Sequence, residues 1–213
     1  LRVLAQEARS LSCITGIQRM KHTAYACLSI MAGTQGDGKN SLAYSLQALE
    51  GVDKPDTNYY FLFGFLQGDA LLQMGRLEEA EQVYTAALFG FKENGLKELA
   101  ARIHICLAHV FFLKGELEQA LGWVHSILPW NSADLGKNFW LTYIYFPKDA
   151  LTCIQILTAG KDPLASALLT EAYTFLQDRA ARIENEPMRQ AYLENFPWNQ
   201  EIIRLWQAAN HQG

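Results

Sequence analysis

The sequence predicts an all-α protein, an alpha-alpha superhelix (solenoid) of about four degenerate helical hairpins plus flanking helices. Two observations lead to this prediction. A glycine and alanine pattern returns at intervals of 37, 40 and 45 residues, and apolar residues at helical spacing lie on both sides of each glycine. A unit of that length is one helical hairpin, which is too small to bury its own apolar face. Each hairpin must therefore pack on its neighbours.

The pattern is a glycine followed five residues later by an alanine. Glycine in the turn between antiparallel helices supplies the positive φ of a helix C-cap without steric cost. Alanine on the second helix lets the paired backbones approach closely. The unit at Gly38 fits least well, because Gln47 and Glu50 stand at its last two positions. The four pairs are Gly38 and Ala43, Gly75 and Ala80, Gly115 and Ala120, and Gly160 and Ala165.

Glycine, proline and polar turn residues bound the predicted elements. Pro147 lies inside a predicted helix that it must end or kink. Pro163 follows Asp162 at a helix start, where proline is tolerated. The predicted helices are residues 18–33 and 40–50, 59–74 and 77–92, 97–114 and 117–128, 138–159 and 163–184, then 187–194 and 199–209.

We expect these elements to form one repeat domain over residues 1–213. Ala8 precedes Gly16 by eight residues, as Ala87 precedes Gly95, so the chain is expected to begin in the second helix of a hairpin and to be part of a longer protein. The predicted units are a half-repeat at 1–16, hairpins at about 18–50, 58–94, 97–128 and 138–186, and closing helices at 187–213.

Charge and composition argue against several classes of function. A net charge of -4 and a pI near 5.7, with no run of Lys or Arg, give no electrostatic footprint for nucleic acid. No apolar run approaches the roughly 18 residues of a membrane helix, and no signal pattern opens the chain. The sequence predicts a cytoplasmic protein. Its four cysteines are expected to be buried thiols in a reducing compartment: Cys13, Cys27, Cys106 and Cys153.

Residues 33–41 nearly match the phosphate-binding loop G-x-x-x-x-G-K-[ST]. Asn40 takes the place of the metal-binding hydroxyl, the preceding residues are predicted helix, and no apolar strand ending in Asp follows to hold magnesium. We therefore expect an interhelical loop and no cofactor.

The sequence contains little evidence for a metal site or a catalytic site. Histidines five residues apart on a helix point about 140° away from each other, so packed or groove-facing rings are expected. First-turn glutamates favour the helix dipole and are expected to form a solvated face. No nucleophile and base arrangement is interpretable, so we expect no metal, no catalytic residue and no enzyme. The groups considered are His104, Cys106, His109 and His125, and Glu78, Glu79, Glu81, Glu116 and Glu118.

Small and aromatic residues recur at matching positions of two units. Residues 61–94 have Gly68, Leu71, Gly75, Ala80, Tyr84 and Ala87, and residues 101–134 have Ala108, Phe111, Gly115 and Ala120. This arrangement resembles the tetratricopeptide (TPR) repeat, a helix-turn-helix unit with small residues at its eighth and twentieth positions. The second unit departs from that pattern at Val124 and Ile127.

The last segment carries a further resemblance. Its motifs are Leu151-Thr-Cys153, Gly160-Lys-Asp-Pro163, Leu176 to Glu184, and Arg189 to Pro197 with Glu201-Ile. It resembles the closing segment of the TPR regions at the C-terminal end of large bacterial STAND-type signalling ATPases and cyclase-like regulators. That resemblance implies a regulatory module.

The TPR resemblance also implies where a partner would bind. In such stacks the first helix of each hairpin lines the concave groove with its second, fifth, ninth, twelfth and thirteenth positions. The predicted groove residues are Phe65, Asp69, Gln73, Arg102, His109 and Phe112, with Leu62, Leu72, Ile105 and Leu113 as further members. A second candidate surface comprises Trp130, Trp140, Tyr143 and Tyr145.

The sequence therefore predicts a protein-interaction or sensor module of a larger bacterial signalling or transcription regulator. Its partner would be a protein or peptide bound in the concave groove, with self-association left open. One alternative is a small-molecule inducer sensor, which would need a sealed pocket with convergent polar groups. An enzyme in its own right is a third option.

Overall fold

The computed structural model describes residues 7, 10, 18–50, 57–93, 97–128 and 146–210. These residues form ten α-helices and contain no β-strand, so the predicted all-α fold is confirmed. Most of the predicted half-repeat 1–16 and residues 138–145 of the fourth hairpin lie outside the described residues. So do Trp130, Trp140, Tyr143 and Tyr145.

The helix bounds follow the predicted ones within a few residues. Pro147 lies in the first turn of its helix and Pro163 directly precedes the next one, as proline's fixed φ and missing N–H favour. The helices are α1 (Gln18–Thr34), α2 (Gly38–Leu49), α3 (Thr57–Gln73), α4 (Leu77–Glu93), α5 (Lys97–Leu113), α6 (Leu117–His125), α7 (Phe146–Ala159), α8 (Leu164–Ala181), α9 (Glu186–Glu194) and α10 (Pro197–Asn210).

The chain divides into two compact units, Leu1–Lys114 and Gly115–Gly213. In the first unit each helix from α1 to α5 packs on the next one along the chain. The first helices of successive hairpins also touch, α1 with α3 and α3 with α5. This order of contacts is that of a helical solenoid, in which each hairpin covers the apolar face of its neighbour.

In the second unit α6 packs on α7, and α7, α8 and α10 pack on one another, while α9 contacts α8 and α10. Leu168 and Leu176 of α8 and Ile202 of α10 are completely buried there. Tyr173 and Trp206 stack in parallel with ring centroids 3.9 Å apart, which adds to the area that α8 and α10 bury. The segment with the regulator-like motifs thus forms a packed helical cluster.

The turns correct the register that the sequence suggested for the first hairpin. Gly75 (φ 71°) and Gly115 (φ 81°) have the left-handed conformation that was predicted. In the first hairpin that conformation belongs to Gly36 (φ 76°), two residues before Gly38. Gly38 instead begins α2 and is buried against α3, where an added Cβ would lie 3.0 Å from Cγ of Met74. The close approach of α2 and α3 therefore explains why position 38 is a glycine.

Counting from Gly36 makes the first repeat regular. The spacing from Gly36 to Gly75 is then 39 residues, close to the 40 residues from Gly75 to Gly115. Ala43, the predicted contact residue, is exposed. The buried residues that match Ala80, Tyr84 and Ala87 of the second repeat are Ser41, Ser45 and Ala48.

The last predicted turn glycine is also displaced by one residue. The residue with positive φ after α7 is Lys161 (φ 55°), a conformation that costs a side chain about 1 kcal/mol or more. Gly160 serves a different purpose, because an added Cβ would lie 2.7 Å from Cδ1 of Leu121 on α6. Here too the glycine permits close approach of the helices.

Candidate functional site

The candidate site is the surface that α1, α3 and α5 present in the first unit. Two contacts show that successive first helices lie side by side. The amide nitrogen of Gln73 lies 3.2 Å from the point where a Cβ on Gly33 would stand. The guanidinium of Arg102 lies 4.3 Å from the ring centroid of Phe65. We call this the first-helix surface: Ile30, Gly33, Thr34, Asp69, Leu72, Gln73, Arg102, His109, Phe112 and Leu113.

Phe65 supports this surface from beneath. Its side chain is only 4% exposed, and its ring lies 6.2 Å from that of Tyr84 on α4. The guanidinium of Arg102 covers the ring, a cation-π arrangement that holds the long arginine side chain in one position. Phe65 therefore helps to place Arg102.

Asp69 is held by a hydrogen bond from a neighbouring helix. The Tyr84 hydroxyl donates to Oδ1 of Asp69 at 2.7 Å. Burial, with smaller contributions from Asp69 and Cys106, raises the pKa of Tyr84 well above its usual range, so the hydroxyl keeps its proton. The Tyr84 ring packs flat against Gly68, where an added Cβ would lie 2.5 Å from Cε1 of the ring. Gly68 thereby makes room for the ring that orients Asp69.

Among the described residues, no cation forms an ion pair with the Asp69 carboxylate. Its side chain is half-buried. The hydroxyl of Tyr84 satisfies one of about four acceptor positions on a carboxylate. Negative charge therefore remains at this point of the surface.

Apolar side chains flank Asp69 on the same surface. Leu72 lies one turn further along α3 and is half-buried, as are Ile30 of α1 and Phe112 of α5. Leu113, the last residue of α5, is 50% exposed. The arrangement provides apolar contact area around a fixed carboxylate.

The predicted groove residues thus take different places. The structure brings Phe65 and Arg102 into contact and leaves Gln73 exposed beside α1, while His109 and Phe112 are half-buried on α5. No sequence pattern indicates the hydrogen bond between Tyr84 and Asp69. Helical periodicity predicts which face of α4 Tyr84 occupies, and it does not predict which group the hydroxyl contacts.

The nucleotide-like segment 33–41 comprises the end of α1, a turn and the start of α2. Asp37 accepts hydrogen bonds from Asn40, from the backbone N at 3.1 Å and from Nδ2 at 2.6 Å, which lower the pKa of Asp37. A carboxylate therefore occupies the N-terminus of α2, the position where a helix would bind phosphate.

The histidines and glutamates have local explanations. Burial, with a smaller contribution from Lys92, lowers the pKa of His104 to about 4, so its ring is neutral at pH 7. His125 pairs with Asp162 at 2.8 Å in the second unit. Glu79 pairs with Arg76. Within the described ranges, no three His, Cys, Asp or Glu side chains come together as metal ligands.

Cys106 and Cys153 are buried as predicted, and burial raises the pKa of the Cys153 thiol, whereas Cys27 is exposed, contrary to the prediction. Cys13 lies outside the described residues. None of the helices described above combines the length and the apolar character that a bilayer span requires.

Comparisons with known proteins bear on the fold. No protein-family model matches the sequence, and no curated protein matches it. The crystal structure of BtubC (BKLC) from P. vanneervenii is similar to this chain, with a TM-score of 0.58 over 98% of this chain and 88% of that chain. The two sequences are 18% identical. The likeness is one of fold.

Proposed function

We propose that this chain is a protein-interaction module that binds a peptide segment of a partner on the first-helix surface. The observation that carries the proposal is the contact of three successive first helices, which carry half-exposed apolar residues and the carboxylate of Asp69. Extended or helical peptides bind such surfaces through apolar anchors, and charges set their register.

The wider role follows from the resemblance of the sequence to TPR arrays and to the closing segments of bacterial STAND-type regulators. On that basis the module belongs to a larger signalling or transcription regulator in the bacterial cytoplasm. Binding, rather than catalysis, is its contribution. The partner it recruits or senses would control the activity of the rest of the regulator.

A matched pair of substitutions tests the location of binding. Leu113 on the first-helix surface and Phe89 on α4 are both exposed apolar residues, 50% and 65% exposed. Peptides would be selected from a displayed random library on the full chain, and their affinity measured by fluorescence anisotropy. We expect Leu113→Glu to weaken binding about tenfold or more, because it introduces a charge into an apolar contact, and Phe89→Glu to have little effect.

Two results would contradict the proposal. If Phe89→Glu weakens the selected peptides and Leu113→Glu does not, the second helices form the binding surface. If no peptide is enriched over a blank support, the chain is not a peptide-binding module, and a small-molecule sensor becomes the better hypothesis.

A further inference from the structure

We infer that the peptide bound on the first-helix surface places a basic side chain, Lys or Arg, against Asp69, with apolar residues within one turn of it. This inference rests on the proposed function and specifies the chemistry of the partner.

Asp69 is oriented within the chain but is not paired with a described cation. Its carboxylate is half-buried and fixed in place by the Tyr84 hydroxyl, yet no cation of the chain's described part neutralises it. A hydrogen bond from a neutral hydroxyl orients the group and leaves its charge unchanged. An ammonium or guanidinium group on a partner would add charge-assisted hydrogen bonds to a carboxylate that is already oriented.

The nearby cations, Arg102 and Lys114, already have contacts within the chain. Arg102 is engaged within the chain, with its guanidinium over the Phe65 ring. Lys114, just beyond α5, pairs with Glu81 at 2.6 Å and with Glu78 at 3.8 Å. Glu81 and Glu78 offset the charge of Lys114, whereas Arg102 keeps its charge but is held over the Phe65 ring. Asp69 is the carboxylate of the first-helix surface that has no ion-pair partner among the described residues. Charge complementarity therefore favours a basic residue of the peptide opposite Asp69.

Apolar residues lie on the helix of Asp69 and on the neighbouring first helices. Leu72 follows Asp69 by one helical turn, and Ile30 and Phe112 belong to α1 and α5, the first helices that contact α3. A basic residue at Asp69 would bring its neighbours in the peptide onto these three side chains. The inferred ligand is therefore a cationic, apolar segment.

Parallel selections from one displayed random library test the inference, with the wild-type chain and Asp69→Asn as targets. An asparagine side chain keeps an oxygen that can accept the hydrogen bond from the Tyr84 hydroxyl. The substitution therefore removes only the charge. We expect Lys and Arg to be enriched in peptides selected on the wild-type chain and to fall to library frequency with Asp69→Asn. A wild-type-selected peptide should bind Asp69→Asn about tenfold more weakly in anisotropy measurements at low salt.

Asp178→Asn is the matched control, because Asp178 is an exposed aspartate of α8 and its substitution changes the net charge equally. Equal losses in both variants would show a general charge effect and overturn the inference. Peptides without basic residues that still lose affinity with Leu113→Glu would also overturn it, while the proposed function would stand. Absence of any enriched peptide would overturn both.

Discussion

Replacing Gly68 with alanine should destabilise the chain by about 3 kcal/mol. The new Cβ would stand 2.5 Å from Cε1 and 2.8 Å from Cζ of the Tyr84 ring. That ring is completely buried, and its hydroxyl is bonded to Asp69, so it has no space into which it can move. Urea denaturation followed by far-ultraviolet circular dichroism would measure the change in the free energy of unfolding.

Gly64, four residues earlier in α3, provides the control. An added Cβ at Gly64 meets no atom within 4 Å. Gly64→Ala should therefore stabilise the helix by about 0.5 to 1 kcal/mol through lower backbone entropy of the unfolded chain. In a Tyr84→Leu background the cost of Gly68→Ala should largely disappear, because the two sites are coupled. Similar effects of alanine at both glycines would contradict the packing described for α3 and α4.

Enlarging Ala80 to leucine should cost about 1 to 3 kcal/mol, whereas the same change at Ala43 should stay within about 0.5 kcal/mol. Ala80 is completely buried on α4, and a leucine there would force neighbouring side chains out of their preferred rotamers. Ala43 is exposed on α2. The melting temperatures of the two variants would provide the comparison.

This pair of variants tests the repeat register directly. In the register that the sequence suggested, Ala43 and Ala80 are equivalent and both substitutions should be costly. In the structure Ser41 is the buried equivalent of Ala80, and its hydroxyl and that of Ser29 each donate to the other residue's backbone carbonyl, at 3.0 Å and 2.9 Å. Equal destabilisation by Ala43→Leu and Ala80→Leu would contradict the register counted from Gly36 and support the one counted from Gly38.

The helices could be predicted from the sequence because their ends depend on capping and turn residues that are close together in the chain. Asn185, for example, accepts a hydrogen bond from the backbone N of Met188 at 3.0 Å, and Pro187 occupies the first turn of α9. Such capping signals depend on residues within one turn of each other. Apolar spacing then predicted which elements pack as hairpins.

The register of the first hairpin could not be read in the same way. Gly36 and Gly38 are both glycines in a polar turn, and one provides the positive φ while the other permits close approach to α3. Sequence spacing does not distinguish these two uses of glycine. The serines at positions 41 and 45 hid the pattern further, because they are buried where the second repeat has Ala80 and Tyr84.

The candidate surface was predicted only as a set of positions. Its chemistry depends on contacts between helices, such as the hydroxyl of Tyr84 on Asp69 and the guanidinium of Arg102 on Phe65. Each of these pairs joins residues that are 15 or more positions apart, and neither has a spacing that periodicity can detect. Distinguishing a supporting side chain from a binding one therefore required the structure.

Hydrogen-deuterium exchange of the full chain, with and without a peptide selected on it, tests the central claim most directly. We expect the bound peptide to slow amide exchange in α1, α3 and α5, because these helices form the first-helix surface and binding suppresses their local opening. Exchange in α2 and α4 should change little. Protection confined to α2 and α4, or to the second unit, would contradict the assignment of the first-helix surface as the binding site.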